Sequence, residues 1–247
     1  MHYGDRPPAN AERVAKPDAR AATRPVRVER VVDGDTVALA DGRRVRIIGI
    51  DAPEIARRGT PGEAGGLAAR RHLVTLLDGA GVQVRPGATP RDRYDRHLAY
   101  LALPDGSDVA ARMLRAGHVV ASPHPDNMQR AGRYLALEAE AREAGRGLWQ
   151  HAAYQPRPAR DAARFRNSYR QLRGRVTAVR VRASSAELAI AGGLRLHVSE
   201  SVMARFDPDR LRALVDRVVL ARGTVRQRDG APVIHLRDPA QLTTRER

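Results

Sequence analysis

Short runs of alternating apolar and polar residues, separated by two-residue turn formers, recur through this chain and exclude most architectures at once. Val26-Arg27-Val28-Glu29-Arg30-Val31 alternates with period two, the pattern of a strand with one buried face. Residues 36–40 and 43–50 continue it on either side of Asp41-Gly42, a dipeptide suited to the positive φ angles of a tight hairpin. Residues 82–85 and 98–103 read as two further strands. A helix is expected over 63–77, with Leu67, Leu73, Leu76 and Leu77 as its apolar stripe and Gly79 beyond its end. Asp108 should cap a second helix that Gly117 stops, and a third should run over 128–144, ending at Gly145 and Gly147 before Trp149. Strands first, then one helix, two strands and two helices predict an α+β unit, mainly β, built on a barrel.

The pattern then repeats in a plainer form. Residues 151–170 read as a linker. Beyond it, residues 173–181 alternate, residues 187–190 and 194–198 flank Gly192-Gly193, and Asp207-Pro208 opens a short helix. Residues 218–226 and 232–236 lie around Asp229-Gly230. Five strands with a helix between the third and fourth fit a small OB-like barrel. The expected organisation is a polar, disordered lead over 1–25, a first domain over 26–150, a linker over 151–170 and an OB-like accessory domain over 171–247.

Composition narrows the function. None of the 247 residues is Cys, which excludes disulfides, thiolate metal sites and cysteine nucleophiles. His118 and His124 flank a Pro-containing loop rather than sharing a helix face, so a histidine zinc site is not expected. The net charge of +16, carried by arginine apart from Lys16, points to a polyanion, with nucleic acid ahead of an anionic membrane. No apolar run approaches the ~20 residues of a membrane helix. The first residues lack the basic-then-apolar layout of a signal peptide. The expected compartment is therefore cytoplasmic, or secreted or periplasmic if a leader is missing from this chain.

The chemistry concentrates in three places: Val32-Asp33-Gly34-Asp35-Thr36-Val37, Arg46-Ile47-Ile48-Gly49-Ile50-Asp51-Ala52-Pro53-Glu54, and Asp92-Arg93-Tyr94-Asp95-Arg96. Two arginines, two metal-type aspartates and a spare glutamate are what metal-assisted phosphodiester cleavage requires. Pro53 disfavours helix at Ala52, so Asp51 and Glu54 lie on a bend and can face one cavity. Strand parity would put Arg46 and Asp51 on opposite faces, and a bulge at Gly49 is expected to re-aim the chain. Other residues keep two readings. Asp33 is a turn former first. Arg96 either serves a phosphate or pairs with Asp92 or Asp95. Tyr94 packs over a nucleotide sugar or fills a rim. Arg57 and Arg58 touch a nucleic-acid backbone or are merely solvated.

These three motifs, in this order and in these strand and loop contexts, resemble the staphylococcal nuclease (thermonuclease) family from about Val26 to Trp149. The resemblance implies an OB-fold five-stranded barrel with three helices, and a calcium-dependent nuclease cutting DNA and RNA to leave 3′-phosphate ends. Asp35 and Asp51 would be the calcium-ligand carboxylates, joined by the carbonyl of Ala52. Glu54 would orient or deprotonate the attacking water. Arg46 and Arg96 would hold the scissile phosphate, while Arg93 and Tyr94 are expected substrate contacts. The expected partners are DNA and RNA, single-stranded by preference, bound by a monomer. Two departures stand out. Ala52 replaces a threonine of the staphylococcal enzyme, and Val119-Val120-Ala121-Ser122-Pro123-His124 lacks the tyrosines that cover the bound base there, which predicts weaker stacking. The alternative is a catalytically silent module that holds nucleic acid. The second unit, whose Asp238 to Gln241 weakly resembles the end of accessory units in some bacterial nucleases, offers few aromatics (Phe206, Tyr169). It is read as a packing or a nucleic-acid-binding module.

Overall fold

The computed structural model describes residues 24–244 apart from 58, 60 and 80, so nearly all of the expected lead lies outside the described residues. The first half runs β1 (Val26–Val31), β2 (Thr36–Leu39), β3 (Arg44–Ile47), β4 (Ile50–Asp51), α1 (Gly66–Leu77), β5 (Gly81–Arg91), β6 (His97–Ala102), α2 (Val109–Arg115), β7 (Val120–Ala121) and α3 (Ala131–Glu143). Strands β1, β2, β3, β6 and β5 close a barrel in that order. Its interior takes every second residue of the strands, Val37, Leu39, Val45 and Ile47 among them, with Leu73 of α1 and Met113 and Leu114 of α2. Asp108 caps α2 by accepting from the Ala111 N–H at 3.2 Å.

Helix α1 differs from expectation in its start and its buried stripe. It begins at Gly66 rather than 63, because Gly65 is left-handed (φ 92°) and a side chain at Gly66 would strike the Glu54 carbonyl. Ala69, Leu73 and Leu77 face the core, while Leu67 is 57% exposed. The register is set by Gly34, whose missing Cβ leaves room for Ala69.

The second half contains β8 (Arg157–Pro158), β9 (Tyr169–Val181), β10 (Ala186–Ile190), β11 (Arg195–Val198), α4 (Glu200–Met203), α5 (Pro208–Arg212), β12 (Val218–Arg228), β13 (Ala231–Leu236) and β14 (Leu242–Thr244). Strand β12 pairs with both β13 and β9, which closes β9, β10, β11, β13 and β12 into a second five-stranded ring. The fold is thus α+β, mainly β, with two barrels, and each has its own apolar core. Asp207 caps α5 between the third and fourth strands of the second ring.

Residues 151–170 carry two 3-10 turns and β8, and they bury Tyr154, Ala159 and Ala162. Trp149, Tyr154 and Tyr169 cluster with ring centroids 5.9 to 6.3 Å apart. Across the same seam the Tyr169 hydroxyl donates to Glu138 at 2.8 Å, and Arg237 donates to the Pro123 carbonyl at 2.5 Å. Aromatic packing and two polar ties therefore set the second barrel against the first.

Candidate active site

The Asp33-Gly34-Asp35 turn links β1 to β2 and is tied by the Val32 N–H to the Thr36 carbonyl. Asp33 accepts from the Asp35 N–H at 3.2 Å and lies 3.4 Å from Arg57, so it braces the turn. A Cβ on Gly34 would stand 2.7 Å from the Cβ atoms of both Ala52 and Ala69. Only glycine lets this turn sit against the Asp51-Ala52 bend.

That close approach brings Asp35 to Ala52. Asp35, 5% exposed, accepts from the Ala52 N–H at 2.6 Å and from the Thr36 hydroxyl at 3.0 Å. Arg46 lies between the two aspartates. Its Nη2 donates to Asp51 at 2.6 Å, and its Nη1 sits 2.6 Å from Asp35 in an ionic contact without hydrogen-bond alignment. The parity problem is solved by a tight turn at Ile48-Gly49 rather than by a bulge within a strand. Gly49 has φ 85°, and any Cβ there would collide with the Tyr134 ring. Strand β4 then pairs with β7, Asp51 opposite Val120. Strand β7 is in turn held by Glu138, which accepts from the Ala121 N–H at 2.9 Å. Burial raises the Glu138 carboxyl, while Tyr169, the Ala121 N–H and Arg142 pull it back toward the charged form.

Burial pushes the Asp35 carboxyl up to about 7, with Asp33 and Asp51 adding to the rise and Arg46 and the Ala52 N–H opposing it. A carboxylate in that state is short of positive charge even beside an arginine.

Glu54 is exposed, but its backbone is clamped: its N–H donates to the Glu63 carboxylate at 3.0 Å, and its carbonyl accepts from the Glu63 N–H at 2.8 Å. Arg96 does pair with Asp92, through Nε at 2.7 Å, and its Nη1 reaches to 3.5 Å from the Thr36 hydroxyl beside Asp35. Tyr94 is an exposed rim residue whose hydroxyl accepts from Arg93 at 2.7 Å. Arg93, Arg96 and Arg57 all line the cleft; Arg58 lies outside the described residues.

Asp35, Asp51 and Glu54 open with Arg46 and Arg96 on this one cleft of about 820 Å³. The sequence reading missed its far wall. Tyr154 and Tyr169 line it, as do Thr224, Arg226, His235 and Arg237 of the second barrel. Val120 to Pro123 line the cleft and none of them is aromatic, so no ring covers it from that segment. The period-two spacing of Thr224 with Arg226, and of His235 with Arg237, was the only local signal for this wall.

Residues 44–151 match the family described as Staphylococcal nuclease homologue. The chain is 32% identical over 126 residues to a thermonuclease of Staphylococcus intermedius, an alignment covering 50% of this chain and 74% of that one. The chain belongs to the staphylococcal nuclease family. It is also 36% identical over 131 residues to an uncharacterized endonuclease of Escherichia coli O157:H7, covering 51% of this chain and 77% of the relative. The family match ends before β9, so the second barrel is described by its own geometry alone.

Within this family member, three or more Asp, Glu or His groups do not gather into a metal-holding cluster among the described residues. The donors on offer are two carboxylates, Asp35 and Asp51, with the peptide of Ala52 between them. An all-oxygen set suits a hard cation that fills its shell with water and substrate. The raised Asp35 carboxyl fits that requirement, since a cation would supply the missing charge.

Proposed function

We propose that the protein is a nuclease that hydrolyses phosphodiester bonds in DNA and RNA, single strands by preference, as a monomer. In this reading a calcium ion is held by Asp35, Asp51 and the Ala52 carbonyl, and the products carry 3′-phosphate ends. The observation that carries it is the convergence of Arg46, two aspartates and Glu54 on one cleft through the Gly34 and Gly49 turns. When bound, the cation would polarise a phosphoryl oxygen and offset the charge building there. Arg46 has N–H donors beyond those aimed at Asp35 and Asp51, and these are available to phosphate oxygens. Arg96 is steadied by Asp92 through Nε, which leaves the Nη side of its fork for the same purpose. Glu54, held at its backbone, takes the proton of the attacking water.

The test is cleavage of labelled single-stranded DNA and RNA, with calcium and with chelator, beside Glu54→Gln and Arg46→Ala. Calcium-dependent cutting with 3′-phosphate ends, lost by about 10²-fold or more in both variants, is the expected result. Unchanged turnover in Glu54→Gln overturns its role. A second reading, a scaffold that binds without cutting, is favoured by the closure of Arg46 onto both aspartates. Binding without cleavage under every metal condition would establish it.

A further inference from the structure

Resting on the nuclease reading above, we propose that the β12–β13 ribbon of the second barrel is part of the substrate site. Arg226 and Arg237, with Thr224 and His235, bind the sugar–phosphate backbone of the strand that flanks the phosphate being cut. The cleft that holds Asp35, Asp51 and Glu54 is bounded on its far side by these four residues, so a strand lying in it touches both barrels.

The ribbon is built for this. Arg226 lies opposite Val233 in the antiparallel register, and side chains two apart leave a sheet on the same face. Thr224, Arg226, His235 and Arg237 therefore project together, while Val225, Ile234 and Leu236 enter the barrel core. In a chain of net charge +16, an arginine without an acid partner is common. What singles out these two is that they share one face and that this face is a wall of the catalytic cleft.

Neither arginine pairs with a carboxylate among the described residues. Arg226 donates to the side-chain carbonyl of Asn167 at 2.9 Å, and Arg237 to the Pro123 carbonyl at 2.5 Å. Each guanidinium has five N–H groups, so most of each fork is left for other oxygens. Burial and the nearby Arg226 push the Arg237 guanidinium down, with Asp51 across the cleft acting the other way. Two mutually repelling cations aimed at one space favour an anion between them. Tyr154 is buried and the Tyr169 ring is packed against Trp149 and Tyr154, so the wall works by charge more than by stacking. It should hold any sequence and should weaken with salt.

The test is equilibrium binding of a labelled single strand of about 12 nucleotides, within the span of one such barrel. Full-length protein is titrated with salt in the presence of chelator. Wild type is compared with Arg226→Ala, Arg226→Glu and Arg237→Gln, the last keeping an amide donor for the Pro123 carbonyl. Denaturant midpoints confirm that each variant folds. Binding should weaken about three- to tenfold per neutralised arginine, more for the charge reversal, with the log–log salt slope falling by about 0.7 per lost phosphate contact. In the calcium cleavage assay, the loss should grow from a dinucleotide to the longer strand. An unaltered salt slope in both Arg226→Ala and Arg237→Gln overturns the proposal even where the wild type cuts. Equal losses on short and long substrates overturn it as well. A reduced slope in a protein that cuts nothing upholds the wall and overturns the nuclease reading instead.

Discussion

The two barrels bury polar groups for different ends. In the second, Asp238 and Gln241 are sealed into local bonds. Asp238 meets Arg205 at 2.5 Å and accepts from the Ala240 N–H, and Gln241 completes a capping box. In the first barrel, Asp33, Asp35 and Asp51 stand close enough to repel one another, and Asp35 is left with a raised carboxyl despite Arg46. Buried charge that is fully satisfied fastens a structure. Buried charge left wanting marks a candidate functional site.

The strongest test of this contrast exchanges one acid in each barrel for its amide. Asp35→Asn should lower strand cleavage by about 10²-fold or more, the scale of losing a preorganised charge. Its denaturant midpoint should not fall below wild type, because a group held in the wrong charge state has been removed. Asp238→Asn should instead cost about 1–3 kcal/mol in denaturant unfolding, since Arg205 loses its charged acceptor. A D35N protein much less stable than wild type would erase the distinction.

Turn glycines sharpen the comparison next. Gly49→Ala puts a side chain into the Tyr134 ring at a positive φ, and about 2–4 kcal/mol of destabilisation is expected in the same assay. Gly193→Ala in the second barrel also meets a positive φ, but no atom stands within 4 Å of the new Cβ, so about 1 kcal/mol is expected. Equal costs would mean that the first turn is no more tightly packed than a surface hairpin.

The seam between the barrels is a smaller lever. Tyr169→Phe leaves Glu138 one donor short and should cost about 1–3 kcal/mol. Because Glu138 also holds the Ala121 N–H of β7, which pairs with β4 at Asp51, cleavage should decline with it. Wild-type cleavage in a stably folded Tyr169→Phe protein would show that the seam carries no such tie. The smallest effect belongs to Leu67→Lys, expected within ±0.5 kcal/mol by thermal or chemical unfolding, because this leucine is on the solvent side of α1.

Much was legible in the residues themselves. The hairpin dipeptides, the Asp108 and Asp207 caps and the period-two strands of both rings depend on neighbours within a few positions, and both barrels follow from them. The start of α1 is not legible, because it depends on Gly65 lying against Leu148 and on Gly66 lying against the Glu54 carbonyl. The exposure of Leu67 is not legible either, because a leucine at helical spacing looks the same whether or not a partner faces it. Glu138 carried no signal at all: its role exists only where β7 and Tyr169 arrive beside α3.

The sequence by itself determined that this chain builds β-barrels and carries two aspartates, two arginines and a glutamate with the chemistry to handle a phosphodiester. Those are properties of side-chain type and local spacing. Only the tertiary structure decided that Arg46 bridges Asp35 and Asp51, that Gly49 makes a turn and not a bulge, and that the second barrel walls the cleft with Arg226 and Arg237. The reason is geometric. Arg46 meets Asp35 and Asp51 only because barrel closure and the Gly49 turn fold nearby segments onto one another. The Arg226 and Arg237 wall, more than a hundred positions beyond Asp51, depends on how two closed barrels dock. No local pattern along the chain encodes either.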